Sequence, residues 1–103
     1  MTIPVKYELE LFVVGSSVKA QRAEQNLRRI CEARLPGQYE LRITDVLENA
    51  DAAEAANIVA TPALVRRAPL PVRIVVGDLS DRNALAHGLG VEADGDDLEG
   101  NDR

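Results

Sequence analysis

Two short apolar segments in the second half of the chain, Ala63–Arg66 and Arg73–Val76, have the length and composition of β-strands. Prolines surround them: Pro62 stands directly before the first segment, and Pro69 and Pro71 lie between the two. Because proline has no amide hydrogen for a sheet, these positions are expected at a strand end and in a loop. The short connection predicts that the two strands pair antiparallel.

The first half of the chain alternates between strand-like and helix-like periodicity. Apolar residues recur at every second position in Lys6–Val14 and again in Tyr39–Leu47, which predicts two strands. Between them, Val18–Arg34 has apolar residues at steps of three and four, which predicts a helix with one buried face. Two strands joined by a helix are expected to lie parallel in one sheet.

Two further segments predict helices. Glu48–Asn57 contains five alanines and no β-branched residue, and Asn49 or Asp51 is available as its cap. Asp81–Leu89 follows Ser80, a second candidate cap. The complete order is βαβαββα, which predicts an α/β fold with a mixed sheet flanked by helices. This order resembles the thioredoxin-like arrangement.

In thioredoxin-like proteins a cis-proline stands directly before the third strand, and Thr61-Pro62 occupies that position here. A cis bond shortens the Cα–Cα step from about 3.8 to about 2.9 Å and gives a sharp entry to the strand. The alternative is that Pro62, Pro69 and Pro71 are all trans loop prolines. Redox thioredoxins carry two cysteines where the first helix begins, whereas this chain has serines at 16 and 17. The resemblance therefore implies the scaffold without its disulfide chemistry.

Charge divides the chain into a neutral part and an acidic end. The chain has 17 acidic and 12 basic residues. Six of the acidic residues and one of the basic residues lie from Val91 onward, which leaves eleven of each in residues 1–90. We therefore expect one domain over residues 1–90 and an acidic disordered tail over 91–103. The sequence has no stripe of basic residues interleaved with aromatic ones, so nucleic-acid binding is not expected. It also has no apolar run that suits a membrane span or a signal peptide. A cytoplasmic protein is expected.

The sequence offers few candidates for chemistry. Cys31 lies on the apolar face of the first predicted helix, so a buried thiol is expected, with a reactive thiol as the alternative. His87 has no second histidine or cysteine at ligand spacing, which argues against a metal site. Asp78 and Asp81 are explained by a loop and a helix start. Neither an enzyme nor a cofactor is expected.

Four segments resemble the KaiB family of circadian clock proteins. The resemblance covers Tyr7 to Gly88 and implies a non-catalytic protein that binds the N-terminal ring of a hexameric KaiC-type ATPase. It further implies modulation of KaiA or of a clock-associated histidine kinase. The matching segments are "LFVVG" (Leu11–Gly15), "ITDVLEN" (Ile43–Asn49), "IVATPAL" (Ile58–Leu64) and "PLPVRIVVGDLSDR" (Pro69–Arg82).

Fold switching is also implied by the resemblance. In that family a thioredoxin-like monomer interconverts with a ground-state βαββααβ arrangement, often a homo-tetramer, in which the second half of the chain is re-paired. Alanine exceeds most polar residues in helix propensity by several tenths of a kcal/mol, so the alanine-rich segment 48–57 favours the thioredoxin-like arrangement. We hypothesise that this chain rests in it.

The resemblance assigns roles to ten positions. It implies partner binding by Arg22, Arg42, Arg73 and Asn57. At the position of Asn57 the family commonly has a lysine. The alternative is that these four are solvated surface residues. Two other readings stay open, a KaiB-fold adaptor or stress-related binding protein with another partner and a thiol enzyme at Cys31. The conformational switch is assigned to Thr61, Pro62, Pro69, Pro71, Gly88 and Gly90, the last of which is often acidic in the family.

Overall fold

The computed structural model describes residues 6–91 and confirms the predicted βαβαββα order. The predicted acidic tail lies outside these residues, except for Val91, which packs against the core. No helix in this part of the chain is long and apolar enough to cross a membrane. The elements are β1 (Tyr7–Val13), α1 (Val18–Arg34), β2 (Tyr39–Asp45), α2 (Ala50–Ala55), β3 (Ala63–Ala68), β4 (Arg73–Val76) and α3 (Arg82–Leu89).

The four strands form one mixed sheet in the order β2-β1-β3-β4. The central strand β1 is parallel to β2, with Leu11 beside Ile43, and antiparallel to β3, with Leu11 beside Leu64. The hairpin of β3 and β4 is antiparallel, as predicted, with Leu64 beside Val75. Consequently β2 and β4 are the two edge strands.

One face of the sheet holds the main core. Leu9, Leu11 and Val13 project to this face, because side chains alternate along a strand, and they cluster with Leu64. The buried face of α1 and the buried face of α3 join the same cluster, so both helices cover this side. Their contributing residues are Ala20, Ala23, Leu27 and Cys31 of α1 and Leu85 and Leu89 of α3.

The opposite face is covered only towards the carboxyl end of β1. There Phe12, Ala63 and Val65 are fully buried. Towards the start of β1 the same face carries charged side chains, and at β4 it carries Ile74 and Val76, which are half exposed. The sheet is thus closed on one side and half open on the other.

Helix boundaries agree with the predictions at α1 and differ at α2 and α3. Helix α2 is six residues long rather than ten, because it begins after the N-cap Asn49 and ends before Asn57, which adopts a left-handed backbone conformation with φ of 59°. Asn49 occupies the N-cap of α2, but its side chain makes no capping hydrogen bond. The prediction that Ser80 caps α3 is wrong. Asp81 is the cap and accepts a hydrogen bond from the Ala84 amide, while the Asp78 carboxylate holds Ser80 in the preceding turn.

The prolines lie where the strand pattern places them. Pro62 is buried directly before β3, and its carbonyl accepts a hydrogen bond from the Gly77 amide at 2.8 Å. Pro69 and Pro71 lie in the exposed loop between β3 and β4. The peptide bonds preceding all three prolines are cis.

Candidate partner-binding surface

A charged cluster occupies the open part of the sheet, centred on Glu10 of β1. The guanidinium of Arg67, at the end of β3, donates two hydrogen bonds to Oε1 of Glu10, at 3.0 and 2.7 Å. The Thr44 hydroxyl donates to the other carboxylate oxygen at 2.6 Å. Burial alone would raise the pKa of Glu10, but the hydrogen bonds from Thr44 and Arg67 and the nearby positive charges lower it below its ordinary value. Glu10 is therefore an anchored, ionised carboxylate.

Arg42 lies on the same face, because it pairs with Glu10 in the register of β1 and β2. Its side chain is exposed, and its charge contributes to the lowered pKa of Glu10. Arg42 and Arg67 thus present two guanidinium groups beside one shared carboxylate. They line a cavity of about 370 Å³, which we call the open sheet face, with Glu8, Leu9, Glu10, Glu40 and Leu41.

A second, mostly apolar concavity of about 540 Å³ lies at the carboxyl end of β1 and β2. We call it the α2 groove. Val59, which is 94 % exposed, stands at its rim, and Thr61 lies in its wall directly before Pro62. Asn57, the predicted ring-facing position, immediately precedes the groove residue Ile58 and is exposed. The groove is lined by Val14, Val46, Ala50, Ala53, Glu54, Ile58, Val59, Ala60 and Thr61.

The four predicted partner-binding residues do not form one cluster. Arg42 belongs to the open sheet face and Asn57 borders the α2 groove. Arg22 is exposed on α1, on the other side of the sheet. Arg73 also projects to that side, where its Nη1 donates to the His87 carbonyl at 3.2 Å.

Sequence reasoning missed the consecutive arginines Arg66 and Arg67, which project to opposite faces of β3. Arg66 is only 5 % exposed and donates to the carbonyls of Leu89 at 3.0 Å and Pro71 at 2.8 Å. Its Nε has no hydrogen-bond partner. Arg66 and Arg73 therefore both bind the last turn of α3, where exposed carbonyls favour positive charge. The sequence signal that could have identified them is a pair of consecutive arginines at the end of an otherwise apolar strand.

Gly88 and Gly90, the two glycines assigned to the conformational switch, are each required for a different structural reason. Gly90 ends α3 in the left-handed conformation with φ of 78°, and a Cβ there would lie 2.8 Å from Nη1 of Arg66. Gly88 is an ordinary helical residue, but a Cβ there would clash with Cγ2 of Val75. Gly88 is thus required by close packing in this arrangement, whereas Gly90 is required by its backbone conformation.

The structure shows the surroundings of Cys31 and His87, the two residues considered for thiol chemistry and metal binding. Cys31 is fully buried, and desolvation raises the pKa of its thiol to about 12, which leaves it protonated and inaccessible. His87 is exposed in the last turn of α3. Within residues 6–91 no group of three or more histidine, cysteine or acidic side chains is arranged to hold a metal ion.

The KaiB domain family matches residues 10–91. A circadian clock oscillator protein KaiB from Synechococcus elongatus is 45 % identical over 83 residues, which covers 81 % of each chain. A circadian clock protein KaiB3 from Synechocystis is 38 % identical over 87 residues, covering 84 % of this chain and 85 % of the relative.

Solved structures give the same picture of the fold. The N-terminal domain of SasA from Synechococcus elongatus superposes with a TM-score of 0.70 at 26 % identity, covering 87 % of this chain and 89 % of that domain. Mitochondrial thioredoxin 3 from Saccharomyces cerevisiae superposes with a TM-score of 0.67 at 17 % identity, covering 84 % and 78 %. The fold is therefore thioredoxin-like, as the element order predicted.

Proposed function

The chain belongs to the KaiB family, and from this premise we propose that it is a non-catalytic clock regulatory protein that binds the N-terminal ring of a KaiC-type ATPase hexamer. The observation that carries the proposal is the family match over residues 10–91, nearly all of the described structure. The absence of a reactive thiol supports a binding role over catalysis, because the Cys31 thiol is buried and its pKa is raised to about 12.

We place the ring-binding surface on the open sheet face together with the α2 groove. The first offers the exposed guanidinium of Arg42 and the half-exposed guanidinium of Arg67, which suit carboxylates on a partner. The second offers exposed apolar side chains such as Val59 and Val14. An interface with apolar contacts beside arginines has the composition typical of protein–protein recognition.

We further propose a role in KaiA or sensor-kinase signalling. The N-terminal domain of SasA has a similar fold at 26 % identity. Two proteins with similar scaffolds are expected to compete for one site on a shared partner. Arg22 and Arg73 lie on the α1 and α3 side, away from the open sheet face and the α2 groove, and we propose this side for contact with KaiA.

The thioredoxin-like arrangement is proposed as the binding-competent form, with the βαββααβ arrangement as the alternative, homo-tetrameric form. Two features of this chain favour the former. Five alanines lie in or next to α2, and Gly90 supplies the left-handed cap of α3 without steric cost. The switch would involve Thr61, Pro62, Pro69, Pro71, Gly88 and Gly90.

Co-sedimentation of the chain with a KaiC-type hexamer tests the proposal. The chain is expected to sediment with the hexamer in the presence of ATP or ADP after prolonged incubation. Arg42→Glu is expected to weaken binding at least about tenfold, corresponding to about 1.4 kcal/mol, because it places a negative charge opposite the partner's carboxylates. High salt should also weaken binding of the unmodified chain, because it screens the attraction between its arginines and the partner's carboxylates.

Arg29→Glu is the matched control, since Arg29 is exposed on α1, on the far side of the sheet. It makes the same change of charge and should bind like the unmodified chain. Lack of co-sedimentation with either nucleotide at any incubation time contradicts the proposal, as does equal weakening by both variants.

A further inference from the structure

Helix α1 carries an excess of positive charge on its exposed side. It contains five basic and two acidic residues, a net charge of +3, and all five basic side chains are exposed. Both acidic side chains have local partners, since Glu24 accepts from Arg28 and Glu32 accepts from the Tyr39 hydroxyl. Because residues 1–90 carry equal numbers of acidic and basic residues, α1 is more positive than the remainder of the domain.

A shallow cleft between α1 and the start of α3 gathers three of the arginines, and we call it the arginine cleft. Two of its other lining residues, Ile30 and Ala33, are apolar. None of the described residues that line it is acidic. The lining residues are Asn26, Arg29, Ile30, Ala33, Arg34 and Arg82.

Asn26 fixes the geometry of the arginine cleft. Its side-chain amide donates to the Asp78 carbonyl at 2.9 Å and so ties α1 to the turn that precedes α3. Its side-chain oxygen accepts a hydrogen bond from Nη1 of Arg29 at 3.4 Å, which orients that guanidinium. The cleft is therefore formed by the fold and not by chance side-chain positions.

The acidic tail of the same chain has the complementary composition. Residues 91–103 contain six acidic residues and one basic residue, a net charge of −5. Within them the segment 96–99, "DDLE", places three carboxylates around Leu98, the one large apolar residue after Val91. A leucine suits an apolar surface such as Ile30, and guanidinium groups bind carboxylates in bidentate geometry.

The tail begins within reach of the arginine cleft. Val91 packs against the core, and its amide donates to the Ala86 carbonyl at 3.0 Å, so the starting point of the tail is fixed. Arg82 lies at the other end of the eight-residue helix α3, about 10 Å away along its axis. Leu98 is seven positions beyond Val91 in the sequence, and seven residues can span about 25 Å.

We propose that the acidic tail docks in the arginine cleft of its own chain, with Leu98 against Ile30 and Ala33 and the neighbouring carboxylates beside the arginines. A single surface ion pair contributes little, but several pairs and an apolar contact act together. A short linker also gives the tail an effective concentration of about 1 mM at the cleft, so a weak contact suffices. The proposal is independent of ring binding, because the cleft lies on the α1 and α3 side, away from the open sheet face and the α2 groove.

Paramagnetic relaxation enhancement in the full chain tests the proposal. Asn101→Cys supplies a thiol for a nitroxide spin label near the end of the tail, while the buried Cys31 stays unlabelled. The label should broaden the amide signals of residues 29–34 and of Arg82 more strongly than those of β2. Raising the salt concentration from about 0.1 M to about 1 M shortens the Debye length from about 10 Å to about 3 Å and should reduce this broadening at least about twofold.

Variants of the spin-labelled chain locate the contact. Arg34→Gln combined with Arg82→Gln should reduce the broadening over residues 29–33 at least about twofold, because two guanidinium groups leave the cleft. Leu98→Ser should reduce it too, because the apolar contact is lost. Arg28→Gln is the matched control, since Arg28 is exposed on the same helix but does not line the cleft, and it should leave the broadening unchanged.

A mixed sample distinguishes the chain's own tail from that of a second copy. It contains isotope-labelled chain without a spin label and spin-labelled chain without the isotope. No broadening should appear in this sample, and broadening over residues 29–34 would assign the cleft to a second copy and overturn docking within one chain. Equal broadening on both sides of the sheet would overturn the proposal, as would broadening that neither salt nor the paired arginine substitutions reduce.

Discussion

The Arg67 guanidinium lies 2.7 Å from the Glu10 carboxylate, although the two residues are 57 positions apart. The pair joins β1, in the first half of the chain, to the end of β3, in the second half. Thr44 of β2 completes the cluster, so one carboxylate connects three strands. This contact exists only in a sheet where β3 lies beside β1, and it therefore reports on the arrangement of the second half.

Glu10 makes the stability of the fold sensitive to acid. Since the pKa of Glu10 is lowered from 4.5, its contribution is fully present above pH 4.5 and is lost as pH falls through the lowered value. Glu10→Gln should reduce the free energy of unfolding by about 1–3 kcal/mol at pH 7, because it removes a charged hydrogen-bond acceptor. Urea unfolding of both chains between pH 7 and pH 3 should show this difference shrinking below pH 4.5.

Glu8→Gln is the control for this titration, because Glu8 lies two residues away on the same face and is exposed. It should change the free energy of unfolding by less than about 0.5 kcal/mol at either pH. A loss in Glu10→Gln that stays constant down to pH 3 would contradict the assigned role of the carboxylate.

Gly90→Ala should destabilise the fold by about 1 kcal/mol, because φ of 78° is unfavourable for a residue with a Cβ. Gly90→Asn should cost less, since asparagine tolerates the left-handed conformation better than alanine. Thermal unfolding of the two variants at pH 7 measures the order. Equal costs would indicate that the approach to Arg66, rather than the backbone conformation, sets the requirement.

Gly88→Ala and Val75→Ala should be strongly coupled. Alanine gains up to about 1 kcal/mol of helix propensity over glycine, but overpacking against a stiff β-branched side chain costs about 1–3 kcal/mol. Gly88→Ala should therefore not stabilise the unmodified chain, and should stabilise the Val75→Ala chain, which lacks the Cγ2 atom that the new methyl group would meet. A double-mutant cycle by urea unfolding measures the coupling, and additive effects would disprove the contact.

Cys31 should resist alkylation in the folded protein. With a pKa of about 12, roughly one thiol in 10,000 is ionised at pH 8, and the side chain is fully buried. Iodoacetamide at pH 8 should label the native chain far more slowly than the chain in denaturant, as measured by mass spectrometry. Rapid native labelling would restore the thiol enzyme as a candidate.

Local patterns were sufficient to predict the architecture. The element order, the bounds of α1 and the antiparallel hairpin follow from periodicity and proline placement. The structure adds that Ser17 caps α1, since its hydroxyl accepts from the Ala20 amide at 3.1 Å. The end of α2 was predicted too late, because propensity alone does not reveal that Asn57 leaves the helical conformation. Ser80 and Asp81 are both good caps, and only the turn held by Asp78 decides between them.

The charged cluster could not be predicted because it depends on strand register. Glu10 pairs with Val65, so Arg67, two residues further along β3, projects to the face of Glu10, whereas Arg66 projects to the other face. The resemblance supplied Arg42 but not Arg67, and it did not indicate that Arg22 and Arg73 lie on the other side of the sheet. Tertiary packing decides all of these.

Hydrogen–deuterium exchange of the chain, free and mixed with a KaiC-type hexamer, tests directly whether the thioredoxin-like arrangement binds the hexamer through the open sheet face and the α2 groove. Binding in the present arrangement predicts new protection over residues 39–61, which span β2, Asn57 and most of the α2 groove, while protection of α3 stays as it is in the free chain. Unchanged exchange over 39–61 in the presence of the hexamer, or protection confined to 72–76, would contradict it.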